Sequence, residues 1–74
     1  MIPAPLTSYG DGCILVIRYV DGSAQERLRD IGIREGACVE MIKNSEGLIV
    51  RLEGSRIGLR RDMAEEIFAT PLIP

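Results

Sequence analysis

The stretch Leu28-Arg29-Asp30-Ile31-Gly32-Ile33-Arg34-Glu35-Gly36 constrains the fold more than any other part of the chain. Ala24, Leu28 and Ile31 recur at helical spacing, and Gly32 follows the last of them. A glycine just past the final apolar position can take positive φ without a Cβ clash, closing the helix with a left-handed cap. Ser23 and Glu26 have the spacing of a capping box at the other end. A helix of about two turns does not persist alone in water, so Ala24, Leu28 and Ile31 are expected to dock it onto a sheet. Gly36 supplies a second turn, and Cys38-Val39-Glu40-Met41-Ile42-Lys43 then has the branched, apolar character of a strand.

The rest of the chain supplies the sheet. Pro3 and Pro5 keep the start extended and withhold ladder donors. Leu6, Tyr9 and Gly12 fall three apart, which suits a tight turn that lays two apolar groups on a core. Cys13 to Val20 is apolar on both faces for most of its length, the mark of a central strand or of one curled through a barrel. Asn44-Ser45-Glu46-Gly47 is a polar hairpin connection into Leu48–Leu52, and Glu53-Gly54 is a two-residue link into Ser55–Arg60. Alternation puts Ile57 and Leu59 on one face of that strand and Arg56, Gly58 and Arg60 on the other. Asp62 and Glu65 repeat the capping-box spacing, Ile67 to Thr70 makes a last strand, and residues 71–74 are expected as a loose tail. The pattern predicts a mainly β fold. It is a small, five-stranded, partly open SH3-like barrel with one short α-helix over residues 24–31 and a terminal helical turn over 62–66. The expected organisation is a single domain over residues 1–74, with its core over 6–70.

Composition narrows the function. The sequence has no histidine, so a Ser or Cys nucleophile lacks its usual base, and no residue is assigned a catalytic role. Glu65-Glu66 is the sole adjacent acidic pair and reads as a solvated edge, so no metal ligand and no cofactor are expected. Gly10-Asp11-Gly12 and Gly54-Ser55 lack the spacing and the Lys-Ser/Thr of a phosphate loop. Of the nine Lys and Arg residues all but Lys43 are arginine, yet the net charge is -2. With two tyrosines, one phenylalanine and no tryptophan, the chain lacks the stacking platform of a nucleic-acid binder and the aromatic groove of a polyproline binder. Arg51, Arg56, Arg60 and Arg61 gather if the last hairpin forms, and salt pairing with Glu53, Asp62 and neighbouring carboxylates is their expected fate. No apolar run approaches the roughly 20 residues of a membrane span, and the first residues lack a charged n-region before an apolar stretch. A cytoplasmic location without membrane insertion is the expectation. Cys13 and Cys38 lie in separate apolar strands, which predicts reduced, buried thiols; a disulfide between them is the other reading.

Leu6…Tyr9…Gly12, Leu28-Arg29-Asp30-Ile31-Gly32-Ile33…Gly36…Val39, the Gly47 hairpin and Arg56-Ile57-Gly58-Leu59-Arg60…Ala64…Ile67 together resemble the ferrous iron transport protein A (FeoA-like) family, from about Leu6 to Thr70. Two positions depart from the family pattern. Tyr9 stands where an aliphatic residue is more frequent, and Gly58, where alanine is more usual, leaves a notch beside Arg56 and Arg60. The resemblance implies a small, non-enzymatic SH3-like protein that supports bacterial ferrous iron uptake. It would dock on the cytoplasmic, GTP-binding part of ferrous iron transport protein B. Related domains end iron-dependent repressors, so the alternative is a stand-alone regulatory module that contacts such a repressor or another protein. Arg27, Arg29, Arg56 and Arg60 are the expected partner contacts, because guanidinium groups grip carboxylates. Ser23, Glu26, Leu28, Ile31, Gly32, Gly36, Gly54, Ile57 and Leu59 are the expected structural positions. Exposed edge strands also allow pairing between copies, so a monomer or weak homodimer is expected.

Overall fold

In a computed structural model that describes residues 2–72, short strands alternate with tight turns. The order is β1 (Ala4–Pro5), a 3₁₀ turn (Leu6–Ser8), β2 (Ile14–Val20), α1 (Gln25–Asp30), β3 (Cys38–Asn44), β4 (Gly47–Leu52), β5 (Ser55–Arg60), α2 (Arg61–Ala64) and β6 (Ile67–Pro71). The strands form one sheet in the order β1-β6-β2-β3-β4-β5, all neighbours antiparallel and the two end strands, among the described residues, unpaired on their outer sides. This is the mainly β, partly open SH3-like arrangement, with one strand more than the five expected. The extra strand is β1, which sets Ala4 opposite Ala69 and Pro5 opposite Phe68. Proline is compatible with an edge, where only one side of the strand joins the ladder.

Alternation along each strand builds the core. Leu15 and Ile17 of β2, Val39 and Met41 of β3, Leu48 and Val50 of β4, and Ile67 and Ala69 of β6 are all buried. Register shifts between Ile17 and Tyr19 and between Met41 and Lys43 bend β2 and β3, curling the sheet around these side chains. Leu6 and Leu28 enter from the 3₁₀ turn and from α1. Helix α1 ends in a Schellman motif: the Gly32 N–H donates to Arg29 O at 3.0 Å and the Ile33 N–H to Leu28 O at 2.9 Å, with Gly32 at φ 98°. That reversal corrects one expectation. Ile31 is 47% exposed, and Ile33, just beyond the cap, is buried in its place.

Other expectations also change. Ser23 does not cap α1, because the chain leaves β2 through Asp21-Gly22 and a further turn, so that Ala24 is the N-cap and makes no side-chain bond. Glu26 then sits in the first turn, where a negative charge suits the helix end, without closing a capping box. Asp62 likewise lies inside α2, whose N-cap is Arg60, and its Oδ1 accepts the Met63 N–H at 2.9 Å. Cys13 and Cys38 are free thiols, but Cys38 is exposed and Cys13 only half-buried, because Val39 and Met41 take the inner face of β3. The first two residues of the tail expected over 71–74 are instead tied to β2. Pro71 pairs with Leu15 and the Leu72 N–H donates to Ile14 O at 2.8 Å, while Ile73 and Pro74 lie outside the described residues.

Candidate docking surface

The β4–β5 hairpin carries the most distinctive surface. Glu53 and Gly54 have φ of 51° and 83°, the two positive values that a two-residue type I′ turn requires. The turn fixes the register: Leu52 opposite Ser55, Arg51 opposite Arg56, Val50 opposite Ile57, Ile49 opposite Gly58 and Leu48 opposite Leu59. Leu48, Val50, Leu52 and Leu59 are buried, with Ile57 half-buried beside them. Arg51, Ile49, Arg56, Gly58 and Arg60 therefore face outward.

Two rows cross this outer face. In one, Glu40, Arg51 and Arg56 are in register, and Arg51 Nη1 contacts Glu40 Oε1 at 3.3 Å. In the other, Lys43, Ile49 and Gly58 are in register. A Cβ added at Gly58 would meet nothing within 4 Å. The absent side chain leaves Ile49 as the half-buried apolar floor of an open groove of about 670 Å³, rimmed by Lys43, Arg60 and Arg61 and by the carboxylates Glu46 and Asp62.

The four arginines singled out in the sequence do not form one cluster. Arg60 Nη2 contacts Asp62 Oδ2 at 3.0 Å, and Arg27 lines a separate depression that Asp62 and Met63 also line, so these two flank α2. Arg29 lines another depression with Tyr19 and Gln25. Arg56 lies opposite Arg51, whose nearby carboxylate is already engaged, and Arg56 has no ion-pair partner among the described residues. The expected pairing partner Glu53 sits in the turn and forms no ion pair among the described residues. Both ion pairs are largely solvated, so neither locks its arginine.

Two features went unnoticed in the sequence. Lys43 and Ile49 join the groove only through the strand register, which the two-residue turn at Glu53-Gly54 would have supplied by counting. Asn44 is a polar junction with no sequence signal. Its Nδ2 donates to Tyr9 O at 2.7 Å and Thr7 O at 3.1 Å, and its Oδ1 accepts from Arg61 Nη1 at 2.7 Å.

Among the described residues no three His, Cys, Asp or Glu side chains converge as a metal ion would need, and no helix is long and apolar enough to cross a membrane. Residues 4–71 match the FeoA domain family. No curated protein matches the chain. Among solved structures, an iron uptake regulatory protein (FeoA) superposes with a TM-score of 0.88 at 20% identity, over 97% of this chain and 100% of the other. An FeoA-like protein from Clostridium acetobutylicum superposes with a TM-score of 0.89 at 16% identity, over 100% and 92%. The T. acidophilum IdeR does so with a TM-score of 0.85 at 18% identity, over 93% of this chain but 34% of its own.

Proposed function

The chain belongs to the FeoA domain family, and on that premise we propose that it is a non-catalytic accessory protein of ferrous iron uptake. It acts by docking on the cytoplasmic, GTP-binding part of the membrane transporter, ferrous iron transport protein B. The observation that carries this reading is the family match across residues 4–71. An iron uptake regulatory protein of the same fold, covered over its whole length, supports it. The surface supports contact rather than chemistry: exposed arginines on α1 and β5, an apolar-floored groove and no histidine. Arg27, Arg29, Arg56 and Arg60 supply guanidinium groups to carboxylates of the partner.

Calorimetric titration of the protein into the transporter's purified cytoplasmic domain tests the reading. The expected result is a dissociation constant below about 100 μM, and no heat of binding at that concentration overturns direct docking. A second reading is favoured by one observation, the fold shared with the T. acidophilum IdeR over a third of that chain. In it the protein is a free-standing regulatory module, and the titration would give heat with an iron-dependent repressor in place of the transporter domain.

A further inference from the structure

The two edges of the sheet are unlike. At β1 the edge is two residues long, follows Pro3 and ends in Pro5. At β5 it is six residues long, without proline, and no backbone bond joins it to a strand other than β4 among the described residues. The type I′ turn makes Leu52 and Ser55 a hydrogen-bonded pair, and such pairs alternate along an antiparallel ladder. Ser55, Ile57 and Leu59 therefore spend their backbone groups on β4, and the N–H and C=O of Arg56 and Gly58 point away from the sheet.

We propose that β5 is a docking strand that accepts an extended, acidic segment of the protein partner by β-strand addition, with an apolar side chain of that segment seated in the Gly58 groove. Backbone pairing at Arg56 and Gly58 would supply the register. On the outer face, the added strand's positions opposite Arg56, Gly58 and Arg60 would carry a carboxylate, a branched apolar residue and a carboxylate. The apolar residue falls beside Gly58, where there is open space above half-buried Ile49. Charge selects the occupant. Two copies of β5 paired antiparallel about Gly58 would set Arg56 against Arg60, and like charges directly opposite are destabilising. An acidic strand meets Arg56, which has no ion-pair partner among the described residues, and can exchange with Asp62 for the solvent-exposed Arg60. This inference rests on the docking function proposed above and identifies which surface, and which partner chemistry, performs it.

The probe is the peptide acetyl-Thr-Glu-Thr-Val-Thr-Glu-Thr-amide, titrated into ¹⁵N-labelled protein. Amide shifts are expected to concentrate at residues 55–60, with a dissociation constant below about 1 mM and slowed exchange of the Gly58 N–H. The Lys-for-Glu peptide should bind at least about tenfold more weakly, and methylation of the peptide's edge-facing amides should abolish binding. Gly58→Val fills open space on a strand, so it should leave the melting temperature unchanged or higher while weakening the peptide about tenfold. Absence of shifts at 55–60, equal binding of the methylated peptide, or an unaffected Gly58→Val variant overturns the proposal. So does dimerisation at micromolar concentration with the same amides shifting on dilution. The two readings separate in one further titration. If the transporter domain binds but Gly58→Val does not weaken it, only the strand-addition proposal fails. If the peptide binds and the domain does not, only the transporter reading fails.

Discussion

At Gly32 the backbone holds φ 98°, and an added Cβ would come within 2.9 Å of Leu52 Cδ2. Both terms oppose any other residue there, because an L side chain at positive φ costs about 1–2 kcal/mol before packing is counted. Gly32→Ala is therefore expected to destabilise the protein by about 1–2 kcal/mol, read as a lowered urea midpoint at unchanged slope. An unchanged midpoint would mean that the helix can end another way. Tyr9 offers a second case. Its hydroxyl donates to Ala69 O at 2.7 Å, tying the segment after the 3₁₀ turn to β6. Tyr9→Phe keeps the ring packing and removes that bond, with an expected loss of about 1 kcal/mol in the same assay. Glycine at a helix end was legible in the sequence because its role follows from local sterics alone. The choice between Ile31 and Ile33 was not. Helical spacing favours Ile31, but the Schellman reversal carries the chain back over the core, and the apolar residue after the cap is the one buried.

Among the elements, the β4–β5 hairpin shows what a short turn determines. Glu53 sits at φ 51°, a position that type I′ turns fill with Asn, Asp or Gly. Glu53→Asn keeps the register and relieves that conformation, so it should raise stability by about 0.5–1 kcal/mol, measured by thermal melting. Glu53→Gly should gain less, since glycine also loosens the unfolded chain. A destabilised Asn variant would show that the Glu53 side chain has a role beyond the turn. The strands were legible because alternation and turn residues agree along them. The two capping boxes were not, since S-x-x-E and D-x-x-E spacing says nothing of where the preceding strand releases the chain. The Asp21-Gly22 exit delays α1 past Ser23, and α2 starts directly from β5 ahead of Asp62. The added strand β1 escaped notice because two residues carry no period, and its pairing depends on β6, more than sixty positions away.

For the molecule as a whole, the question is what closes a sheet whose end strands do not pair. At the Arg60 end of β5 the gap is bridged by α2, which follows that strand directly and packs against the 3₁₀ turn near the other edge. Asn44 fastens the same gap from the β3–β4 corner. Its side chain bonds Thr7 O and Tyr9 O on the N-terminal segment and Arg61 on α2, while its backbone N–H donates to Asp11 Oδ1 at 2.8 Å. Arg61 Nη1 also reaches Ser45 O at 2.6 Å, so one guanidinium joins α2 to the hairpin. Asn44→Ala removes the three side-chain bonds and leaves two partly buried carbonyls short of a donor, with an expected loss of about 2–3 kcal/mol. Arg61→Met keeps much of the aliphatic stem and should cost about 1 kcal/mol. Because the two side chains share a bond, the double variant should lose less than the sum of the singles, by about 0.5–1 kcal/mol in a denaturation cycle. Strict additivity would show that the gap is held by apolar packing of α2 alone. The cycle also bears on the docking strand. If loss of the Asn44–Arg61 link frees α2 from the corner without melting the core, hydrogen exchange should accelerate at α2 and the β5 end before it does at β2 and β6. The edge offered to a partner would then be the part of the sheet that opens at least cost.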